Sequence, residues 1–390
     1  MKFVRKNISE KKYVDNVFSV SSLAKSDPQA INATEGCLGK EDGTLFTYSS
    51  VFENENKITP AQNASYASPA GNAKYLDVIT KHILEDRVTN NHRTIASAGG
   101  TGALYIGMKS CLAEGDTIIL PEISWGNYRV MCQEYNYNIV TYDVYNLDSL
   151  FKVIDETEGK LFLLINSPCH NPCGQGYTDD EWKKIIDKLN NCNKEVVLLN
   201  DIAYIDYAYN DAKGYFDLFN HINDNVLVLI AFSCSKSFSY YGKRVGAFIA
   251  IHNDEEFLDK YINLCTRIAR SAWSNVNNGA MQNIASLLTD HHDEYVKERK
   301  EAIEMLNKRT SLFIKQANEC GLPIYEYKSG FFVTVRVEDN ELRDKFHQAL
   351  IDKHIYTIKI NKGVRVGVCA LPLNIIDGLA SKINDVLKSC

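Results

Sequence analysis

A lysine set among small hydroxyl side chains is the first part of this sequence that could do chemistry. Lys236 lies in the run Ser-Cys-Ser-Lys-Ser-Phe-Ser, directly after an apolar stretch. A lysine that is partly removed from water has a lowered pKa, and its amine then attacks carbonyl groups. Ser233, Ser235 and Arg244 could together bind a phosphate dianion, because hydroxyls donate hydrogen bonds and arginine can donate two at once. On its own, this segment fits a surface turn equally well.

A glycine-rich turn is a second candidate phosphate-binding segment. The run Gly-Gly-Thr-Gly at residues 99–102 joins a predicted strand to a predicted helix and contains Gly100 and Thr101. Glycine lets the backbone approach an anion, and the free N–H groups at the start of a helix donate to that anion. The spacing is not that of a dinucleotide-binding fingerprint, and no acidic residue follows at the required distance. The alternative interpretation is a tight turn without a ligand.

Two further motifs directly follow predicted apolar strands. Asp201 and Tyr204 follow one apolar run, and Asn171 follows another in the sequence Asn-Pro-Cys-Gly. A buried carboxylate needs a positive partner, which the protonated nitrogen of a pyridine ring would supply, and Asn171 could donate to a phenolate oxygen. A solvated aspartate and a Pro-Gly turn are the alternatives. Together, the four motifs predict pyridoxal phosphate as the cofactor, held by Lys236 as an internal Schiff base.

Short apolar runs alternate with helical patterns through the middle of the chain, and they place these motifs at strand ends. The pattern predicts βαβ units and a mostly parallel sheet covered on both faces, where ligands bind at the carboxyl ends of the strands. The predicted strands are residues 94–98, 117–120, 138–142, 161–166, 196–200, 226–231 and 245–251. The predicted helices among them are residues 101–111, 128–135 and 179–189.

The last third of the chain predicts a smaller α+β unit. Its predicted elements are helices over residues 293–317, 342–350 and 374–387 and strands over residues 331–337 and 364–368. Residues 29–44 are rich in Gly and Asn without a clear period, and we expect them to pack with this unit and to line a cleft. We expect a large cofactor-binding domain over residues 48–290 and a small domain formed by residues 1–47 and 291–390.

Motifs of the fold-type I aminotransferases are matched along nearly the whole chain, from about residue 31 to the C-terminal helix. Within them, the sequence resembles the class I aspartate and aromatic amino acid aminotransferases. The matched motifs are Ser-x-x-Lys with an arginine eight residues on, Asp-x-Ala-Tyr, Asn-Pro-x-Gly and the phosphate turn. The residues that match them are Ser233, Lys236, Arg244, Asp201, Tyr204, Asn171, Gly100 and Thr101. The resemblance implies a mostly parallel seven-stranded sheet in the large domain and a smaller α+β domain formed by the N- and C-terminal segments.

The resemblance also implies roles for residues outside those motifs. Trp125 would stack on the cofactor ring and contact the substrate, and Tyr66 would reach the phosphate of the neighbouring subunit. Arg365 would grip the substrate α-carboxylate near Gly36. Arg270, donated by the partner subunit, would bind a distal carboxylate of the substrate.

The implied activity is transamination between an L-amino acid, aspartate or an aromatic one, and a 2-oxo acid such as 2-oxoglutarate. The reaction would be ping-pong and would pass through pyridoxamine phosphate, with Lys236 moving the proton from the substrate Cα. Asp201 would keep the ring nitrogen charged, and Tyr204 with Asn171 would tune the phenolic oxygen, Asn171 also lying near the substrate. The implied assembly is a homodimer that shares its active sites across the interface.

Five positions depart from the family pattern. Asn166 and Tyr128 stand where the family often has histidine, and both positions back the aspartate at the ring nitrogen. Val276 and Asn277 stand where two prolines are expected, in a segment that shapes the substrate entrance. Glu35 adds an acidic group near the carboxylate-binding region.

Composition sets the wider expectations. The 390-residue chain is 45% hydrophobic and 24% charged, with a formal net charge of −6. Because it has no block of like charges, no signal-like start and no apolar span, we expect a cytoplasmic protein without nucleic-acid or membrane partners. Its 11 scattered cysteines indicate reduced thiols rather than a disulfide framework. Cys169 and Cys173 flank His170, but no second ligand pair follows, so no metal is expected.

Two alternatives to transamination stay open. A carbon–sulfur β-lyase or a decarboxylase would share the cofactor-binding residues, although Arg270 and its Trp-Ser-Asn context favour transamination. A non-enzymatic regulator built on the same fold would need a DNA-binding helical module ahead of it. The residues before the resemblance contain no helix-turn-helix pattern, which argues against a regulator.

Overall fold

Three sheets are formed by the strands of the computed structural model, which describes residues 16–209 and 211–390. The strands are β1 (Ile31–Asn32), β2 (His92–Ser97), β3 (Thr117–Pro121), β4 (Asn138–Tyr142), β5 (Leu161–Asn166), β6 (Val196–Asp201), β7 (Val226–Ser233), β8 (Gly246–Ile251), β9 (Val333–Arg336), β10 (Ile355–Tyr356), β11 (Ile358–Ile360) and β12 (Gly363–Val366).

Helices cover the sheets and connect them. The α-helices are α1 (Asn16–Ser26), α2 (Ser49–Glu55), α3 (Pro60–Ala64), α4 (Ala73–Leu84), α5 (Gly99–Cys111), α6 (Gly126–Tyr135), α7 (Leu147–Glu156), α8 (Asp179–Asn190), α9 (Cys234–Ser237), α10 (Glu255–Trp273), α11 (Asn278–Asp290), α12 (His292–Cys320), α13 (Asn340–Asp352), α14 (Leu373–Ile376) and α15 (Leu379–Lys388). Short 3-10 helices cover Ile205–Tyr207, Gly214–His221 and Val368–Ala370. Within the described part of the chain, no helix combines the length and apolar character needed to cross a bilayer.

The central sheet has seven strands in the order β2-β8-β7-β6-β5-β3-β4. Neighbouring strands are parallel except around β8, which is antiparallel to both β7 and β2. Every residue of β5, β6 and β7 is buried, as continuous apolar strands covered by helices on both faces require. The predicted α/β class and mostly parallel seven-stranded sheet are therefore confirmed, and each predicted strand of this sheet lies within two residues of an observed one.

In-register pairing brings the polar ends of several strands to one edge of the central sheet. Asn166 at the end of β5 pairs with Asp201 at the end of β6. Gly246 at the start of β8 pairs with Ser233 at the end of β7 and with Ser97 at the end of β2. Because side chains alternate in direction along a strand, this register decides which side chains reach the edge.

A smaller unit is built around the antiparallel sheet β11-β12-β9. Its core contains Val333, Val335, Val364, Val366 and Phe346, which form an apolar cluster separate from the two that cover the central sheet. The long helix α12 belongs to both units. Its N-terminal half, through Leu306, packs in a cluster of the central sheet, and its C-terminal half, through Phe313 and Ala317, packs in the smaller core.

The predicted helix over residues 374–387 is wrong in one respect. Gly378 adopts a left-handed backbone with φ of 78° and interrupts the helix between α14 and α15. The domain boundaries at residues 47/48 and 290/291 stay a prediction. Residues 1–15 of the predicted small domain lie outside the described residues.

Residues 33–39, which we call the cleft segment, run beside the end of β12 as expected for residues 29–44. The amide of Gly367 donates to the Ala33 carbonyl, and the amide of Gly39 donates to the Cys369 carbonyl. Arg309 of α12 is 0% exposed and donates from Nη1 to the carbonyls of Gly39 and Cys369 at 2.8 and 2.9 Å. One buried cation therefore holds the cleft segment, the C-terminal segment and α12 together.

Replacing Arg309 with methionine should destabilise the protein by about 2–4 kcal/mol, because two buried carbonyls lose their donor. Thermal unfolding followed by circular dichroism would measure the loss. Arg336→Met is the matched control, because Arg336 is exposed and pairs with Glu338 at the surface, so its loss should change stability by less than about 0.5 kcal/mol. Equal decreases in the two unfolding temperatures would contradict the role given to Arg309.

Candidate active site

The amine of Lys236 points into the cleft between the central sheet and the cleft segment. Lys236 lies on α9, a single turn that begins directly after β7. Its Nζ donates to the Gly36 carbonyl at 2.8 Å. The same Nζ lies 4.7 Å from the centre of the Tyr241 ring and 5.4 Å from that of Tyr204. Burial lowers the pKa of the Lys236 amine, so a larger fraction of it is neutral and nucleophilic near neutral pH.

A cradle for a phosphate forms where α5 begins beside the Lys236 loop. Gly99 has a φ of 71°, and a Cβ atom there would lie 2.5 Å from a guanidinium nitrogen of Arg244. A Cβ atom on Gly100 would lie 3.1 Å from that of Ser233. Arg244 Nη1 donates to the Ser235 hydroxyl at 3.0 Å. The free N–H groups at the start of α5 thus face two hydroxyls and a guanidinium, a combination that suits a dianion.

The carboxylate of Asp201 ends β6 and is buried. The Tyr128 hydroxyl donates to its Oδ2 at 2.5 Å, and the Ala203 amide donates to its Oδ1 at 3.0 Å. Both donors are neutral. Burial raises the pKa of Asp201 to about 6, because a carboxylate removed from water favours its protonated form. The protonated ring nitrogen of a bound pyridoxal phosphate would supply the positive charge that these neutral donors lack.

Asn171 and Asn166 connect Asp201 with the far side of the cleft. The amide of Asn166 donates from Nδ2 to the Asp201 carbonyl at 2.8 Å, and its Oδ1 accepts the backbone N–H of Asn171 at 2.8 Å. The Asn171 Oδ1 accepts a hydrogen bond from Arg365 Nη1 at 3.3 Å. Both departures from the family pattern at this end, Asn166 and Tyr128, therefore contact Asp201 directly.

Arg365 of β12 is a buried guanidinium placed to receive an anion. Its Nη2 donates to the Thr34 carbonyl at 2.7 Å, and its carbon Cζ lies 4.1 Å from the centre of the Phe332 ring. Its Nε has no hydrogen-bond partner among the described residues. Burial lowers the pKa of Arg365, and a substrate carboxylate would both satisfy the free donor and compensate the charge.

Trp125 and Gly36 each lie against an aromatic side chain. Trp125 precedes α6 and meets the Tyr128 ring edge-on at 5.4 Å. A Cβ atom on Gly36 would lie 3.0 Å from the Phe332 ring, so glycine keeps the cleft segment close to that ring. Phe332 and Tyr241 were not among the predicted site residues. Tyr241 stands five residues after Lys236 in the same loop, which is a signal that sequence reasoning could have used.

Tyr66 and Arg270 lie on the surface and make no recorded contact with Lys236, Asp201 or Arg365 within the described residues. Tyr66 is 88% exposed, and Arg270, near the end of α10, donates to the Ser274 hydroxyl at 2.7 Å. Asn275 joins the two regions, since its side chain exchanges hydrogen bonds with the N–H and the carbonyl of Ala67 at 3.1 and 2.9 Å. The two residues therefore belong to one surface region of this chain.

The other three residues that depart from the family pattern also pack or form hydrogen bonds within this chain. Val276 is buried, and the Asn277 side chain caps α11 by accepting the amide of Ala280. The Glu35 carboxylate accepts hydrogen bonds from Ser21 and Lys25 of α1.

The loop after β5 holds the cysteines and histidine that were considered for a metal. Cys169 contacts the Ser329 hydroxyl at 3.2 Å, and both nitrogens of His170 face backbone carbonyls. Over residues 16–209 and 211–390, no group of three His, Cys, Asp or Glu side chains could hold a metal ion.

The matching family model and the similar proteins and structures are all aminotransferases. The model of the family described as aminotransferase class I and II matches residues 33–383. Cytoplasmic aspartate aminotransferase of Dictyostelium discoideum is 26% identical over 311 residues, 74% of this chain and 69% of that protein. Aromatic-amino-acid aminotransferase of Escherichia coli is 24% identical over 294 residues, 71% of this chain and 73% of that protein. The crystal structure of an aminotransferase from Anaerococcus prevotii aligns with a TM-score of 0.92 at 27% identity, covering 98% of this chain and 100% of that one.

Replacing Asp201 with asparagine should stabilise the cofactor-free protein at alkaline pH. Because the folded pKa of about 6 exceeds the unfolded value of about 3.9, folding is penalised once the carboxyl ionises. The penalty is absent at low pH, grows between about pH 4 and 6, and reaches at most about 3 kcal/mol. Thermal unfolding of both proteins at about pH 5 and 8 would measure it, with the larger gain expected at the higher pH.

Asp206→Asn is the matched control for that experiment. Although burial acts to raise the pKa of Asp206, His82 and Arg299 hold it well below its usual range. The Asp206 carboxylate therefore stabilises the fold when ionised, and its loss should lower the unfolding temperature at about pH 8. A gain from Asp201→Asn that is equal at both pH values would contradict the argument.

Proposed function

The chain belongs to the aminotransferase class I and II family and is a pyridoxal-phosphate-dependent transaminase, and from this premise we propose that it moves the amino group of aspartate or of an aromatic L-amino acid to a 2-oxo acid such as 2-oxoglutarate. The observation that carries the proposal is the shared cleft of Lys236 and Arg365. The Lys236 amine contacts Gly36, Arg365 contacts Thr34, and both contacts lie on the cleft segment. An amine for the cofactor and a cation for the α-carboxylate thus face the same space.

Pyridoxal phosphate, when bound, supplies an electron sink conjugated to the substrate Cα. We propose that the residues of the phosphate cradle and those beside the expected position of the cofactor ring bind it. The residues proposed to hold it are Gly100, Thr101, Ser233, Ser235, Arg244, Trp125, Asn171, Asp201, Tyr204 and Lys236, with Tyr66 reaching the phosphate from the partner subunit. The neutral donors around Asp201 support its assignment to the ring nitrogen, because that carboxylate then meets its counter-charge only when the cofactor is present.

Lys236 is proposed to move the substrate proton. Its lowered pKa makes the free amine a base near neutral pH. The Gly36 carbonyl and the rings of Tyr241 and Tyr204 would hold that amine on one side of the cleft while it takes the proton from Cα and delivers it to the C4′ carbon of the cofactor. A base held in place in this way transfers a proton without first being reoriented.

Arg365 is proposed to orient the substrate. Its free Nε can donate to the α-carboxylate while Nη2 stays bound to the Thr34 carbonyl. Because the guanidinium is fixed against Phe332, the carboxylate would be fixed with it, and the Cα–H bond would point toward Lys236. Trp125 and Asn171 would form the walls on either side of the substrate.

Arg270 of one subunit is proposed to bind the distal carboxylate of a dicarboxylate substrate held in the site of the partner subunit. The single surface region that contains Tyr66 and Arg270 supports this assignment, because two exposed side chains on one face can both reach a partner subunit. We further propose a homodimer that completes each site in this way. The cytoplasm is the proposed location, as in the name of the Dictyostelium relative. Among residues 16–209 and 211–390, no contact in the site favours the lyase, decarboxylase or regulator alternatives.

Replacing Lys236 with alanine should abolish transamination, with a loss of roughly 10⁴-fold or more, because both the covalent partner and the base are removed. The absorption band of the bound cofactor should also change. Lys243→Ala is the matched control, since Lys243 lies on the same loop and pairs with Glu55. Wild-type turnover by the Lys236→Ala protein without added amines would refute the mechanism.

Replacing Arg270 with leucine should separate the two substrate classes. The specificity constant for aspartate should fall by roughly 10- to 200-fold, the equivalent of one charge-assisted hydrogen bond, while that for phenylalanine should change little. Half-reaction kinetics with aspartate, glutamate, phenylalanine and tyrosine would measure this. Arg267→Leu removes an exposed cation from the same helix and should affect none of the four. An aspartate constant unchanged by Arg270→Leu would exclude Arg270 from the site.

A further inference from the structure

An ion pair joins the smaller unit to the central sheet beside the cleft. Lys362 lies in the turn between β11 and β12, and its Nζ donates to Oε2 of Glu122 at 2.8 Å. Glu122 directly follows β3 of the central sheet. The two side chains are half-buried, with 39% and 30% of their surfaces exposed. The pair therefore links two sheets through residues that stand 240 positions apart in the chain.

Each member of the pair stands three residues before a residue of the candidate active site. Lys362 precedes Arg365, and Glu122 precedes Trp125. Because every residue of β12 is buried, a shift at Lys362 would be passed along the backbone of that short strand to Arg365. A shift at Glu122 would be passed in the same way to Trp125. The ion pair thus connects the segment that carries the arginine with the segment that carries the tryptophan.

Backbone contacts fix both members of the pair to their own units. The Glu122 amide donates to the Tyr142 carbonyl at 2.8 Å, which continues the pairing of β3 with β4. The Lys362 carbonyl accepts the amide of Val337 at 3.1 Å and the hydroxyl of Tyr325 at 3.1 Å. Because both backbones are held, the bond between the two charged groups constrains the distance between the units as well as the two side chains.

An uncharged contact between the same regions lies beside the ion pair. The rings of Tyr145 and Tyr325 stack with their centres 5.5 Å apart and their planes 9° apart. The Tyr145 hydroxyl, in the loop between β4 and α7, donates to the Glu326 carbonyl at 2.8 Å. Salt screens the attraction between charges and leaves such a stack in place. The Lys362–Glu122 pair therefore supplies a salt-sensitive part of the junction.

We propose that Lys362 and Glu122 are a positioning pair that holds Arg365 at a fixed place relative to Trp125 and so favours the arrangement that accepts a substrate carboxylate. The inference rests on the proposed function, in which Arg365 binds the α-carboxylate and Trp125 lies against the cofactor ring. Both members of the pair act through these two residues, and neither is assigned a contact with substrate or cofactor.

The role of the pair is geometric, because Lys362 keeps its charge near neutral pH. Its hydrogen bond with Glu122 raises the pKa of its amine, and the carboxylates of Glu338 and Asp143 act in the same direction. An amine that stays protonated at the working pH is not a general base there. Removing the pair should therefore leave the pH profile of the reaction unchanged.

Loss of the pair should weaken substrate binding without slowing the chemical step. An exposed ion pair biases an equilibrium by up to about 5-fold, and the apparent affinity for a ligand falls with the population of the competent arrangement. We therefore expect KM in the half-reaction to rise about 2- to 5-fold while the limiting rate stays within about 2-fold. The rise should be equal for aspartate and phenylalanine, because both carry the α-carboxylate assigned to Arg365.

The experiment compares the holoenzyme with Lys362→Met, Glu122→Gln and the double variant. Calorimetry gives the dissociation constants of succinate and 3-phenylpropanoate, which carry a carboxylate but no amino group, and half-reaction kinetics give KM. Both quantities should rise in all three variants, and the double variant should be no weaker than either single one, because the same interaction is lost in each. In about 1 M salt, the differences from the wild type should vanish.

The two single variants also separate positioning from general attraction of an anionic substrate. Lys362→Met removes a positive charge and Glu122→Gln removes a negative one, so attraction alone would weaken binding in the first and strengthen it in the second. A lost positioning contact weakens binding in both. Lys362→Arg keeps the charge and should retain the wild-type values.

Lys359→Met is the matched control. Lys359 lies on β11 of the same hairpin and is 37% exposed, and it pairs with Asp344 of α13 at 3.2 Å. Both partners belong to the smaller unit, so the loss of this pair does not touch the junction. KM and both dissociation constants should stay at their wild-type values.

The outcomes separate this inference from the proposed function. Unchanged binding in both Lys362→Met and Glu122→Gln overturns the inference alone, and so does tighter binding in Glu122→Gln or an equal loss in Lys359→Met. A lowered limiting rate at unchanged KM also overturns it, because the pair would then act on the chemical step. A wild-type protein that transfers no amino group from either amino acid overturns the proposed function and the inference with it.

Discussion

The register of the central sheet is the constraint on which the site depends. Asn166, Asp201 and Ser233 reach one edge because β6 pairs in step with the whole of β5 and with residues 226–231 of β7, whose last residue is Ser233. A slip of one residue would turn each of these side chains to the opposite face and break the apolar layers together with the site. The same buried pairing that stabilises the sheet therefore also fixes the spacing between the ring-nitrogen aspartate and the Lys236 loop.

The site places three ionisable groups where water cannot fully solvate them. Burial raises the pKa of Asp201 and lowers those of Lys236 and Arg365, so each group loses stability in its charged form. Among the described residues, their hydrogen-bond partners are neutral amides, hydroxyls and carbonyls. Cofactor and substrate would bring the missing opposite charges, so binding would recover free energy that the fold alone does not. The polar groups are thus suited to their ligands more than to the stability of the empty chain.

Much of the cofactor end of the site could be predicted from the sequence, because its residues sit in short motifs directly after apolar strands. Lys236, Asp201, Asn171 and Gly100 were found in this way, and the structure brings them to one cleft. Their roles stay predictions. The seven strands were also predictable, since each is a continuous apolar run between helical patterns.

Other features depend on contacts between distant parts of the chain. The burial of Arg309 against the carbonyls of Gly39 and Cys369 shows no local pattern in the sequence. Strands β1 and β10 have two residues each, too few to show a period. The sequence predicts a continuous helix through Gly378 because a single glycine does not by itself reveal a left-handed backbone. The partner-facing role of Arg270 rests on resemblance, because an exposed helical arginine looks the same in sequence whether it faces water or another subunit.

The shared helix α12 has a consequence for how the chain loses its structure. Because one half of the helix packs beneath the central sheet and the other half packs in the smaller core, neither core can melt without exposing apolar side chains of a helix that the other core still holds. Local opening of one unit therefore costs part of the stability of its neighbour. We therefore expect the two units to unfold cooperatively, because the continuous helix α12 joins them, and hydrogen exchange along α12 to be slowest near its middle, where the two cores meet.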